Sequence, residues 1–190
     1  MVKDFWRSIP GWFDFGDIYD RAVEEATDGA QFLEIGCWLG RSTCYLGQRI
    51  KESGKDIRLF VVDTFEGVPE QDVQKSLEMQ GASVLDQLLF NISEAGIADL
   101  VTVFPESSET AHTHFEDRSL DLVFIDGDHS YDAVRRDILL FAPKVQSGGV
   151  LAGHDYRDGE GVRRAVDELI GDCPVSVSSW ATRMKRDCLT

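Results

Sequence analysis

The chain has 190 residues, enough for one domain that buries most of its apolar surface without disulfides or a structural metal. Its formal charge of −15, spread along the sequence, disfavours binding to nucleic-acid phosphates or to an anionic membrane. No apolar run approaches the roughly 18 residues of a membrane span, and the N-terminus lacks the charged and apolar regions of a signal peptide, so a cytoplasmic protein is expected. Cys37, Cys44, Cys173 and Cys188 show no C-x-x-C spacing and read as reduced, mostly buried thiols.

The leading segment, 1–28, contains Trp6, Trp12 and Phe13, which read as core or lid residues, and a helical pattern over 17–26. A first apolar strand over 31–35 runs into Glu34-Ile-Gly36-Cys-Trp-Leu-Gly40-Arg-Ser42. Gly36 and Gly40 permit a tight turn and a close approach of backbone to ligand, and the following helix offers free N–H groups. The spacing is not G-x-G-x-x-G, so the dinucleotide fingerprint fails and a nicotinamide dehydrogenase is disfavoured. Trp38 reads as packing in the turn. A second strand over 58–63 ends on Asp63, an acid able to accept both hydroxyls of a ribose. The irregular stretch 64–82, rich in Glu and Gln, reads as a mobile flap over the site. A third strand occupies 100–104, and His112 and His114 lie beyond it in an acidic helical stretch, facing solvent.

The fourth strand, 121–126, is the most informative. Its apolar residues Leu122 to Ile125 stop abruptly at Asp126, Gly127, Asp128 and His129. Desolvating two carboxylates and an imidazole costs several kcal/mol unless they are paired or hold a metal. The fifth strand, 149–153, repeats the pattern and delivers His154, Asp155 and Tyr156. Helical stripes at Val134, Ile138, Phe141, Ala142 and at Val162, Val166, Leu169, Ile170 alternate with these strands, and 174–180 reads as a late strand. Nearly continuous apolar strands alternating with helices predict a doubly wound α/β sheet in a single domain. Ligands of such sheets bind beyond the carboxyl ends of the strands, where every polar residue singled out here lies. Neighbouring strands are about 4.8 Å apart, so acids at two adjacent ends converge on one cation. A metal there lowers the pKa of a bound alcohol, and Asp128 or His129 takes the proton.

Taken in order, Glu34-x-Gly36-x-x-x-Gly40-x-Ser42, Val62-Asp-Thr-Phe-Glu-Gly-Val-Pro69, Phe124-Ile-Asp-Gly-Asp-His-Ser-Tyr131 and Gly153-His-Asp-Tyr156 resemble the class I S-adenosylmethionine-dependent methyltransferases. Within them the chain is similar to the macrocin and related sugar O-methyltransferases and to the wider group with cephalosporin-hydroxylase-like proteins, over roughly residues 10 to 180. The resemblance implies a Rossmann-like, mainly parallel seven-stranded sheet with helices on both faces. It implies that Glu34 belongs to the cofactor motif and that Gly36, Gly40 and Ser42 face the methionine part of S-adenosylmethionine. Asp63, Thr64 and Phe65 would bind its ribose and adenine, Ser107 would sit near the adenine, and Asp126 would border the cofactor. Asp126 and Asp155 would hold a divalent cation, magnesium or manganese, with Asp128 as the base.

Sugar-methylating relatives carry two adjacent acids where this chain has His154-Asp155. An imidazole in place of a carboxylate shifts preference from magnesium toward manganese, iron or zinc. The expected activity is a metal-assisted O-methyl transfer to a small hydroxylated acceptor, a sugar or natural product. The short N-terminal extension leaves the acceptor pocket either open or completed by a partner subunit. Two other readings stand beside it: a hydroxylase-like oxygenase with iron at His154-Asp155, and a non-catalytic cofactor-binding protein. Asp128 also reads as a cap for a helix starting near Ser130, His129 as a substrate-orienting group, and Tyr156 as either an acceptor platform or a pocket wall.

Overall fold

Four parallel strands end level with one another, and that alignment places the site. In the computed structural model, which describes residues 4–66, 77 and 81–185, these are β1 (Ala30–Ile35), β2 (Ile57–Val62), β3 (Val101–Phe104) and β4 (Leu120–Ile125). Ile35 pairs with both Val62 and Ile125, and Val62 pairs with Phe104. A fifth parallel strand, β5 (Val145–Gly153), aligns Gly153 with Ile125. The residues one step beyond these tips, Gly36, Asp63, Asp126 and His154, therefore share one edge of the sheet.

The sheet has seven strands in the order β3-β2-β1-β4-β5-β7-β6, closed by a hairpin of β6 (Val175–Ser176) and β7 (Ser179–Arg183) that runs antiparallel to β5. The late strand expected over 174–180 is thus two strands. Val177 takes a left-handed φ of 52° and turns the chain between them. Strand β5 also starts earlier than its apolar run, because Val145 already pairs with Leu120, and a register shift follows before Val150 pairs with Leu122.

Alternate residues of each strand feed two cores. Phe32, Leu59, Val61, Leu122 and Phe124 point to one face, covered by α1 (Gly16–Glu25), α2 (Arg41–Ser53) and α3 (Val84–Glu94). Leu33, Ile35, Val62, Val123, Ile125 and Leu151 point to the other, covered by α4 (Ser108–Ala111), α5 (Tyr131–Phe141) and α6 (Glu160–Leu169). A sheet clothed on both faces explains why its strands read as unbroken apolar runs. Helix α3 begins with a capping box in which Ser83 and Asp86 satisfy each other's backbone N–H groups. Among the described residues Cys37 and Cys44 are buried free thiols and Cys173 is a partly buried one; Cys188 lies outside them, as does most of the 64–82 stretch. No helix among the described residues is long and apolar enough to cross a membrane.

The leading segment closes the end of the molecule above the strand tips. Trp6 is buried and packs edge-on against Phe13 and Tyr45, while Phe15 stacks on Phe124. Trp12 is 71% exposed, so of the three aromatic residues expected in core or lid it is the one that faces water.

Candidate active site

A cavity of about 1240 Å³ runs along the strand tips. Gly36 and Ser42 line it from the first turn, Asp63 and Thr64 from β2, Ser107 from β3, Asp126, Asp128 and His129 from β4, and His154 and Asp155 from β5. The leading segment roofs it with residues 10–14. Glu34, Gly40 and Phe65 are not in its lining, although the resemblance groups them with the cofactor.

The turn after β1 is built around a missing side chain. Gly36 has φ 81°, and a Cβ there would collide with the backbone carbonyl of Asp126. Gly40, at φ 82°, is the N-cap of α2 and leaves the first N–H groups of that helix without a side-chain cap. Asp63 locks the turn from the neighbouring strand. Its Oδ2 accepts from the N–H groups of Cys37 and Trp38, each at 2.9 Å, and its Oδ1 from that of Phe65 at 2.8 Å. A carboxylate has about four acceptor sites, so capacity remains for a ligand hydroxyl.

Glu34 works from behind. It is buried, accepts from Tyr19 at 2.8 Å and from Thr43, and so ties α1 and the start of α2 to β1. Burial pushes its carboxyl above the usual range, and the hydroxyls of Ser42, Thr43 and Tyr19 pull it back. Glu34, which the resemblance groups with the cofactor motif, thus lies buried behind the turn and outside the cavity lining.

At the β4 and β5 tips Asp126, His154 and Asp155 bring one donor atom each within 4.8 Å of one another. Asp155 adopts a left-handed φ of 56°, which turns its carboxylate back toward Asp126. His154 Nδ1 lies 3.1 Å from Asp155 Oδ2, and its Nε2 lies 2.8 Å from Asp14 Oδ1. Burial opposes the charged ring, but the hydrogen bond to Asp155 and the charge of Asp126 outweigh it and raise His154 to about 9. Burial likewise lifts Asp126 to about 7, the positive His154 resisting and Asp155 adding to the rise. Asp155 is held below its ordinary value by the same hydrogen bond. His129 Nε2 sits 3.2 Å from Asp155 and 3.8 Å from Asp126, half exposed to the cavity. Asp128 is exposed, and its Oδ1 accepts from the N–H of Ser130 at 2.8 Å. The α5 cap expected of Asp128 is supplied by Ser130, whose hydroxyl accepts from Ala133.

Tyr156, left open between platform and wall, does neither: it is absent from the cavity lining and donates to Asp167 at 2.6 Å. His114 is exposed, bonds Glu106 and stacks on Phe104. Of the lining acids to which the sequence reading gave no role, Asp158 among them, two are instructive, Asp14 and Asp137. Asp14 had no local signal, since its partner His154 is 140 positions away. Asp137 did have one: it falls between Val134, Ile138 and Phe141 on the apolar stripe of α5, where a carboxylate has no packing reason to be.

The comparisons with known proteins agree with this architecture. Residues 33–156 match the family described as "Methyltransferase domain". The O-methyltransferase NovP superposes with a TM-score of 0.66 at 21% identity, covering 90% of this chain and 79% of NovP. CalS11, a TDP-rhamnose 3'-O-methyltransferase of calicheamicin biosynthesis, gives 0.57 at 15% identity, over 88% and 76% of the two chains. An rRNA methylase from Streptococcus thermophilus gives 0.62 at 11% identity, over 94% and 100%. The acceptors named for the last two differ in kind, a TDP-rhamnose and an rRNA, so the shared fold carries no acceptor identity. The family match spans more than half of the chain and contains the β1 turn, Asp63 and both acid-bearing strand tips: the protein belongs to the methyltransferase-domain family and is a class I S-adenosylmethionine-dependent methyltransferase.

Proposed function

We propose that the protein methylates an oxygen of a small hydroxylated acceptor, a sugar or natural product, with help from a divalent cation held by Asp126, His154 and Asp155. The convergence of these three side chains at adjacent strand tips is the observation that carries the reading. Their donor set, two carboxylates and an imidazole, suits a first-row divalent ion as well as magnesium. Burial raises Asp126 to about 7 against the charge of His154, and binding of a cation would require His154 to release its proton and act as a neutral ligand.

The bound sulfonium would supply an electrophilic methyl, and a cation would acidify the acceptor hydroxyl. The chain's own residues do the rest. The β1 turn, held by Asp63 and Glu34, fixes the donor. Asp126 and Asp155 face the acceptor oxygen, and His129, beside both, takes its proton. Asp128 suits that role less well, because one of its oxygens is committed to Ser130. With both reactants aligned, positioning supplies much of the rate. The acids Asp14, Asp128 and Asp158 in the lining, together with the overall charge, argue against an RNA acceptor.

Asp126→Asn tests the metal step. Turnover should fall by about 100-fold or more while circular dichroism and melting show an intact fold. Full activity in that variant, or in excess chelator, would contradict the role given to the cation.

A further inference from the structure

The ring of His154 is held between the strand tips and the roof. Its Nδ1 faces the two carboxylates, 3.1 Å from Asp155 Oδ2 and 3.8 Å from Asp126 Oδ1. Its Nε2 lies 2.8 Å from Asp14 Oδ1. Phe15, next along the chain, sets its ring 5.0 Å from the imidazole, centroid to centroid. One nitrogen thus belongs to the candidate cation site, and the other is bonded to a carboxylate that arrives from a different part of the chain.

A carboxylate only accepts, so the nitrogen facing Asp14 carries a hydrogen. The lone pair of a neutral ring then falls to Nδ1, the nitrogen aimed at Asp126 and Asp155. With the opposite tautomer, Nε2 and Asp14 would be two acceptors face to face. Imidazole ligands of metals are commonly oriented in this way, by an acceptor on the nitrogen that does not bind. The Asp14 side chain is 46% exposed, so its bare charge is screened by water and its influence runs through the ring it bonds.

The segment that carries Asp14 is also fastened at its other end. Arg41, in the first turn of α2, donates to the carbonyl of Gly11, and Gly11 packs so closely on Trp38 that a Cβ would lie 3.4 Å from the indole ring. Residues 11–14 therefore run from the turn after β1 to His154 beyond the β5 tip. We infer that Asp14 is a positioning residue for the cation: it accepts from Nε2 of His154, presents Nδ1 to the ion, and so makes the roof part of the cation site. The inference rests on the cation reading of Asp126, His154 and Asp155. Roof and ion are then coupled in both directions, since whatever lifts Asp14 off the ring weakens the hold on the ion, and the ion in turn holds the roof down.

The test is calorimetric titration of manganese into the wild type, Asp14→Ala, His154→Asp and the double variant, each checked for folding by its melting curve. Asp14→Ala should bind the ion about tenfold more weakly than the wild type. His154→Asp keeps a ligand at that position but has no ring to orient, so there the same change should alter affinity by less than about twofold. Binding of S-adenosylhomocysteine without metal should be the same in Asp14→Ala as in the wild type. Unchanged or tighter manganese binding in Asp14→Ala would overturn the role of Asp14 while leaving the cation site intact. An equal loss in both backgrounds would do the same, because the acid would then act by its charge alone. A parallel loss of S-adenosylhomocysteine would also overturn it, the acid then serving only to hold the roof. Failure of the wild type to bind manganese would remove the cation site and this inference together.

Discussion

The buried Asp137 makes a prediction about stability, independent of any ligand. Its carboxyl stands at about 6 in the folded protein against an ordinary 3.8, so the folded state holds the proton more tightly than the unfolded chain. Its contribution is fully present below pH 3.8 and is lost as pH rises through about 6. Asp137→Asn removes this titration and should melt higher than wild type above pH 7, with the difference fading toward pH 4. Equal melting temperatures across that range would mean the carboxylate is better compensated than the structure indicates. At this scale the sequence was most informative where acids follow apolar strands: Asp63, Asp126 and Asp155 were legible because a buried strand has no packing reason to end on a charge. Asp14 was not, since its meaning depends on a contact made only after folding. Glu34 was legible as a motif residue, but its three hydroxyl partners, which turn it away from the cavity, come from two helices whose packing no local pattern encodes.

Among the elements, the turn from β1 into α2 is the least tolerant of change. Gly36→Ala combines a positive φ with a collision against the carbonyl of Asp126, and backbone has nowhere to move. We expect a loss of more than about 2 kcal/mol in chemical denaturation, with loss of cofactor binding even where the fold survives. Tyr19→Phe is a milder change in the same place. It removes one donor from the buried Glu34 and should cost about 1–3 kcal/mol. The parallel strands and their flanking helices were readable from periodicity, because full burial on both faces writes itself into an unbroken apolar run. The hairpin of β6 and β7 was not. Val177 at the turn is a residue that by itself favours strand, and pairing against β5 overrides that preference. Helix α3 was also passed over, its cap being hidden at the edge of a polar stretch.

Across the whole molecule, charge and topology decide what reaches the site. The chain carries −15, and acids predominate around the strand tips, so a polyanionic acceptor is repelled both at a distance and on contact. Filter binding with ribosomal RNA fragments at low salt should show no retention, despite the fold shared with an rRNA methylase. Salt-sensitive retention would reverse the acceptor class proposed here. The fold and the place of the site were readable because a doubly wound sheet fixes where ligands bind, whereas acceptor choice in such folds lies in loops, for which the sequence holds no general rule.

Cofactor binding is tested most directly by calorimetric titration of the protein with S-adenosylhomocysteine, with and without manganese, beside Asp63→Ala. Asp63 braces the β1 turn and is proposed to accept from the ligand, so the expected result is micromolar binding by the wild type and its loss in the variant. Absence of binding by the wild type under either metal condition would contradict the cofactor reading.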